Sequence, residues 1–338
     1  MKFGRVPLGE AEGAVLAHSL NVGTGRIAKG TVLQAGEIYA LRAGGIPDVV
    51  VARLEADDIE ENTAAAALAQ ALVPSPEKQG LRIANAGAGR VNLYAQGPGV
   101  AIIDAQAVVA TNLVDPMITV ATLAPFTRVD AGTMVATIKI IAYAVPQSAL
   151  SRAQEAAVSA LEIAKPVFRT ATLIETQVGS ETPSEKGRRV TTERLSRFGM
   201  SLTERVVVDH ECRDIAQAIT DAPGDVVLIL TASATSDVMD EAPEGLRLAG
   251  GHVDTYGMPV DPGNLLFFGT ANNRPVIGLP GCARSPALNG ADWVLERLVC
   301  GVKLTQSDIQ AMGVGGLLKE IPTRPRPRAS KGQKRHKS

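Results

Sequence analysis

The stretch GHVDTYGMPVDPGNLLFFGTANNRPVIGLPGCARSPALNGADWVLERLVCGV, residues 251–302, decides the architecture. Short β-like runs alternate with Gly/Pro turns, and the run closes on an amphipathic helix with Leu288, Ala291, Leu295, Leu298 and Val302 on one face. Two turns, Asp261-Pro262-Gly263-Asn264 and Gly278-Leu279-Pro280-Gly281, adjoin apolar strands. Glycine has no Cβ, so such turns can bring bare backbone N–H groups against an anion. Pro262, Gly263, Asn264, Pro280 and Gly281 are therefore candidate ligand contacts. Arg284 and Ser285 stand just before the final helix, where a guanidinium and a hydroxyl can grip an oxyanion. The plainer reading of Arg284 is a surface charge.

Upstream, strands and helices alternate at short spacing. A strand at 171–175 leads through a loop to a helix ending at Gly199. A second strand at 202–208 leads to Asp209-His210 and a helix over 213–220, and a third strand spans 226–230. This order predicts an α/β domain over 166–303, a three-layer α/β/α sandwich with a mainly parallel sheet. Ligands of such sheets sit beyond the carboxyl ends of the strands. Three loops are thereby singled out. After Leu230, the loop Thr231-Ala-Ser-Ala-Thr-Ser-Asp237 is built of small residues. Thr231, Ser233, Thr235 and Ser236 are candidate phosphate contacts, aided by the next helix N-terminus. Asp237 is a candidate catalytic residue holding a divalent cation between phosphates, against the simpler reading of the loop as a cap. After Glu175, Thr176 and Ser180 face the same edge. After Val208, Asp209 is placed to orient a ribose or an amide. No Gly-x-Ser-x-Gly elbow, Walker loop or His-Glu-x-x-His motif is present.

The chain has 338 residues, enough for two or three domains. Residues 1–75 read as a mixed α/β unit, with helices expected over 7–19, 35–43 and 59–72, a hairpin-like piece over 21–30 and a strand over 48–54. A linker over 73–80 leads to a β-rich middle unit over 81–148, whose strongest β signal lies over 132–145. A helix over 150–161 connects onward.

Hydrophobic residues make up 45% of the chain and charged residues 20%, an ordinary globular composition. Aromatics at 3% are too few for base-stacking surfaces. Net charge is −1, but the segment from Ile321 onward carries seven basic residues, from Arg324 to Lys337, and no acid. Pro/Arg alternation there predicts a disordered basic tail over 318–338, with nucleic acid the weaker candidate partner. Three scattered cysteines suggest neither disulfides nor zinc and fit a cytoplasmic protein. No signal peptide or membrane span is expected.

The motifs in order resemble the molybdopterin-binding domain of molybdenum-cofactor biosynthesis enzymes. The likeness rests on DVVLILTASATSD (225–237), on GGHVDTYGMPVDPGNLLFFG (250–269), and on PVIGLPG (275–281) with SPALNGADWVLERL (285–298). The opening VPLGEAEGAVLAHSL and GIPDVVVARLE are similar to the start of the larger, molybdate-inserting members. The resemblance implies a molybdopterin substrate, free or adenylylated. It also implies magnesium at Asp237, an ATP or AMP moiety, a separate nucleotidyltransferase as partner, and a homodimer. Several positions depart from the family pattern. Ala232 and Ala234 replace glycines, and Thr176-Gln177-Val178 replaces Thr-Gly-Asp. Asn264 replaces a lysine, and Cys282 to Ser285 replace one asparagine. Two functions follow: an assembly enzyme of nucleotidyl activation or molybdate insertion, or a non-catalytic molybdopterin carrier.

Overall fold

A computed structural model describes residues 1–23 and 25–318. The basic tail expected over 318–338 thus lies, beyond Leu318, outside the described residues. Helices and strands are mixed throughout, and the chain divides into two compact units, Met1–Ala164 and the part from Lys165 onward.

The first unit holds β1 (Lys2–Pro7), β2 (Val15–Leu16), β3 (Leu20–Val22), β4 (Gly25–Ile27), α1 (Ala35–Ala43), β5 (Asp48–Arg53), β6 (Asp58–Glu60) and α2 (Glu61–Leu72). It continues through β7 (Leu81–Gly87), β8 (Arg90–Ala95), β9 (Gly99–Ile103), α3 (Ala105–Val114), β10 (Ile118–Thr122) and β11 (Arg128–Val129). It ends with β12 (Met134–Ile140), β13 (Ala144–Pro146), α4 (Gln147–Ala157) and β14 (Leu161–Ala164). Two hydrophobic clusters serve it. Leu8, Leu16, Leu33, Leu41, Val49 and Val51 form one. The other gathers α2 and α4 onto the β10-β12-β8-β7 sheet through residues such as Leu68, Leu93, Ile118 and Ile138.

The helix expected over 7–19 is not formed. The chain runs as β1, a 3-10 turn over Leu8–Glu10, and then β2, with both strands antiparallel to β5. Gly13 at φ 75° breaks any helix there, and burial of Ala11, Ala14 and Leu16 against β5 is met by strands instead.

The second unit contains β15 (Thr170–Gln177), α5 (Glu185–Ser196), β16 (Ser201–Leu202), β17 (Val206–Asp209), α6 (Cys212–Asp221) and β18 (Val226–Leu230). After these come α7 (Glu241–Leu248), β19 (His252–Tyr256), β20 (Phe267–Ala271), β21 (Arg274–Leu279), α8 (Gly290–Val299) and α9 (Gln306–Ala311). One seven-stranded sheet runs β16-β15-β18-β21-β20-β19, with β17 also on β15. β16, β17, β15, β18 and β21 pair in parallel, whereas β21, β20 and β19 pair antiparallel. The sheet is therefore mixed. Its antiparallel edge comes from a two-residue hairpin in which Asn272 (φ 51°) and Asn273 (φ 58°) supply the double left-handed turn that a tight hairpin requires.

Side chains alternate across the sheet. Ile174, Val227, Ile229 and Val276 pack with Ile215 and Ile219 of α6 and with Ala242 and Leu246 of α7. On the opposite face, α5 presses so close that a Cβ on Gly187 would lie 2.6 Å from Leu230 Cδ2. Hence the connection leaving β15 lies on one face and the connection leaving β18 lies on the other. These neighbouring parallel strands diverge at their carboxyl ends, which is the topological switch point where α/β sheets open a crevice.

Candidate functional site

The crevice opens where the topology places it. A cleft of 440 Å³ is lined by Thr176 and Gln177 at the end of β15 and Val178 beyond it, by Glu181 to Ser184 before α5, and by Ala232 and Arg284. A wider depression of 700 Å³ shares Gln177 and Val178 and continues to Ser180, Asp209, His210 and Glu211.

Thr176 ties the three strand ends together. Its hydroxyl accepts the Ala232 N–H at 2.7 Å and lies 3.0 Å from His210 Nδ1. The His210 N–H donates to the Gln177 carbonyl at 2.8 Å, and Gln177 Nε2 donates to Asp209 Oδ1 at 3.1 Å. The loops after β15, β17 and β18 are thus one hydrogen-bonded rim. Fixed donors and acceptors of this kind pre-organise a site at little entropic cost on binding.

Arg284 is the cation of the cleft. It sits at the end of the 3-10 turn Gly281–Arg284 that follows β21, and Nη2 donates to the Thr231 carbonyl at 2.7 Å. Burial pushes its pKa below the ordinary guanidinium value, while nearby Glu175 opposes that shift. The turn is held from behind by Arg194 of α5. Arg194 ion-pairs with Asp292 and donates to the carbonyls of Ala283 at 2.6 Å and Ser285 at 2.8 Å.

Glu175 is 1% exposed near the end of β15, a strand buried throughout from Ala171 to Thr176. Arg205 compensates it, with Nε 2.9 Å from the carboxylate, and also reaches the Pro183 carbonyl at 2.5 Å and the Glu185 carboxylate. Burying a carboxylate is costly unless it is paired. The strand expected over 202–208 is split into β16 and β17, and Arg205 lies in the gap between them. The pair also fixes the segment leading into α5. Ser184 lines the cleft and precedes α5 without a side-chain cap bond, so it leaves the first-turn amides of α5 uncapped beside the cleft.

The other predicted residues divide in two. Thr231 is buried, with its hydroxyl donating to the Ser233 carbonyl at 2.6 Å, and Thr235 is buried with its carbonyl accepting Tyr256 OH. Ser233, Ser236 and Asp237 are exposed in the same loop. Gly281 lies beside Arg284, 3.7 Å from Nη1 were it to carry a Cβ, whereas Pro280 is buried. Ser285 accepts Arg194 through its carbonyl and the Ala287 N–H through Oγ at 3.3 Å. Pro262 and Gly263 do not line the cleft. Both are buried against the start of α8, where the Gly290 N–H donates to the Pro262 carbonyl at 2.8 Å, and a Cβ on Gly263 would lie 2.7 Å from Gly290 N. That glycine is required for close packing. Asn264 is exposed nearby, with its amide 3.5 Å from the Met258 carbonyl.

The residues around Asp237 do not build a magnesium site. Its carboxylate accepts the Met239 N–H at 2.8 Å, and Asp240 accepts the amides of Ser236 and Glu241. Among the described residues no three His, Cys, Asp or Glu side chains converge as metal ligands. Nor is any described helix long and apolar enough to cross a membrane. Sequence reasoning missed Glu175, Arg205, His210, Gln177 and Arg194. A lone carboxylate inside the run ATLIE was the one local signal that a buried ion pair must form.

A family model described as a domain of unknown function (DUF8806) matches residues 5–53. No curated protein matches the chain. Among solved structures, it is similar to a molybdopterin biosynthesis moea protein from Pyrococcus horikosii. That match has 14% identity, covers 89% of this chain and 75% of the other, and has a TM-score of 0.32. It is also similar to a molybdenum cofactor biosynthesis protein from Pyrococcus furiosus. That match has 12% identity, covers 92% of this chain and 65% of the other, and has a TM-score of 0.24. Both likenesses are distant.

Proposed function

We propose that the second unit binds a molybdopterin-type pterin, free or adenylylated, and that the protein serves molybdenum-cofactor biosynthesis. One observation carries the reading: the switch-point cleft is bipolar. At one end stand the Arg284 guanidinium, the amides at the start of α5 and the small-residue loop after β18, a chemistry suited to phosphate. At the other end stand Asp209, Glu211 and Gln177, acceptors suited to the N–H edge of an aminopyrimidine ring. A phosphorylated pterin presents both. The order of motifs along the chain supports the same ligand class.

The residues supply positioning and electrostatics. Arg284 neutralises phosphate, Thr176 locks the rim, and Arg205 with Glu175 sets the entry to α5. Among the described residues no acid–base pair is aligned at the phosphate end, and no cluster of three carboxylate, His or Cys ligands stands there for magnesium. The cleft therefore favours binding and presentation of the pterin, so a carrier or accessory role, working with a separate nucleotidyltransferase, is the reading preferred over adenylylation or molybdate insertion.

Incubating the full chain with molybdopterin, with and without ATP, magnesium and molybdate, distinguishes these. Saturable binding without new product is expected. Release of pyrophosphate or incorporation of molybdate would make it an assembly enzyme, and absence of binding would remove the proposal altogether.

A further inference from the structure

A groove of 520 Å³ runs along the outer edge of the seven-stranded sheet, away from the phosphate end of the cleft. Its floor is Val206, Val207 and Val208 of β17, and its wall is α6. Among the described residues β17 pairs only with β15, which leaves its outer side an unpaired strand edge. Asp214, Gln217 and Asp221 stand three and four residues apart on the exposed face of α6, and Asp209 closes one end. Among the described residues none of these three aspartates has a cationic partner. Asp221 accepts Gln217 Nε2 at 2.9 Å and Asp209 accepts Gln177. Asp221 also sits in the last turn of α6, where the helix dipole is itself negative. An apolar floor, an open strand edge and a wall whose only charged residues are aspartates call for an extended basic segment.

The chain carries one. Residues 323–329 read TRPRPRA, followed by Lys331, Lys334, Arg335 and Lys337, with no acid. We propose that this segment docks in the groove as an added edge strand, with its arginines facing the aspartates of α6. The alternation suits the geometry. In a strand, backbone groups point toward the partner at every second residue. Arg324, Arg326 and Arg328 can face β17 while Pro325 and Pro327, which lack an N–H, face outward, where proline is tolerated on an edge. Residues two apart also share one sheet face, which directs all three guanidiniums to the same side. Arg324 and Arg328 are about 13 Å apart along a strand, against about 10 Å between Asp214 and Asp221 along the helix. Gln177 and Asp209 line both this groove and the rim of the cleft, so docking is read at the site's edge.

The test uses the full chain. A carbodiimide joins lysines to carboxylates in contact, and links from Lys331 or Lys334 to Asp209, Asp214 or Asp221 are expected, within one molecule or between two copies. Trypsin cleavage after Arg328 is expected to be about fivefold faster in Asp214→Asn/Asp221→Asn than in the native chain at low salt. Added salt should bring the two rates together. Trp293 fluorescence checks that the variant is folded. Equal rates at low salt, or links confined to other acids, would overturn the proposal. So would protection of the segment that appears only when RNA is added and is the same in both proteins, since the segment would then be a nucleic-acid contact. None of these readouts depends on the pterin.

Discussion

Arg194→Met is the substitution whose cost the structure specifies best. Arg194 is 8% exposed and Asp292 is 4% exposed, and their ion pair joins α5 to α8. The same guanidinium donates to three carbonyls of the segment leading to α8, at Ala283, Ser285 and Ala287. Methionine fills most of the space and removes every donor. Asp292 keeps the Asn289 N–H at 2.8 Å, so its carboxylate is not stripped bare. Breaking a buried pair from one side costs about 3–5 kcal/mol, a large part of the 5–15 kcal/mol typical of a whole domain. Adding Asp292→Asn removes the uncompensated charge and should recover about 2 kcal/mol in a double-mutant cycle. The assay is urea unfolding followed by fluorescence of Trp293, the only tryptophan, which neighbours Asp292 in α8. A loss below about 1 kcal/mol, with no coupling to Asp292, would refute the clamp. Arg284 should then also be freely positioned.

Other consequences are equally direct. Gly278→Ala places a Cβ 1.9 Å from the Phe267 ring in the centre of the sheet, and should destabilise the unit by about 2 kcal/mol or more in the same unfolding assay. The Asp225 carboxyl is held below its ordinary 3.8 by the amides of Arg169 and Thr170. Its contribution is complete above that value and is lost as pH falls through the lower folded pKa. Between about pH 4 and pH 2 the native protein should therefore lose stability faster than Asp225→Asn. Burial and Glu241 push the Cys212 thiol above its usual range, so mass spectrometry should find iodoacetamide reacting more slowly there at pH 8 than with a free cysteine peptide.

Much of the second unit was legible because its signals are local. The run VVLIL bounded by Gly224 and the Thr/Ser loop has one sensible reading, a buried strand, and it is β18. The hydrophobic spacing over 213–220 is α6, and Gly44-Gly45 correctly stop α1. Elsewhere local signals misled. Ala11, Ala14, Val15 and His18 mimic a helical stripe, but glycines and β-sheet pairing with β5 decide that segment. Asn272-Asn273, a hairpin signal, sets the antiparallel edge that makes the sheet mixed. Thr176 and Arg284, a strand-end hydroxyl and a pre-helix cation in the sequence, both line the cleft. Pro262 and Gly263 read as an anion turn, yet they are packing residues, because what a glycine leaves room for depends on the element opposite it. The roles of Glu175, Arg205, His210 and Arg194 arise from partners 30 or more positions away in the chain. Pairings of that kind carry no periodicity to read.

In the proposed function, Arg284 at the switch-point cleft holds the phosphate of a pterin ligand. Calorimetric titration of molybdopterin into the full chain and into Arg284→Ala tests it most directly. One saturable site per chain is expected, weakened about tenfold or more when the guanidinium is removed, with the unfolding curve of the variant close to native. Equal affinity in both proteins would contradict it.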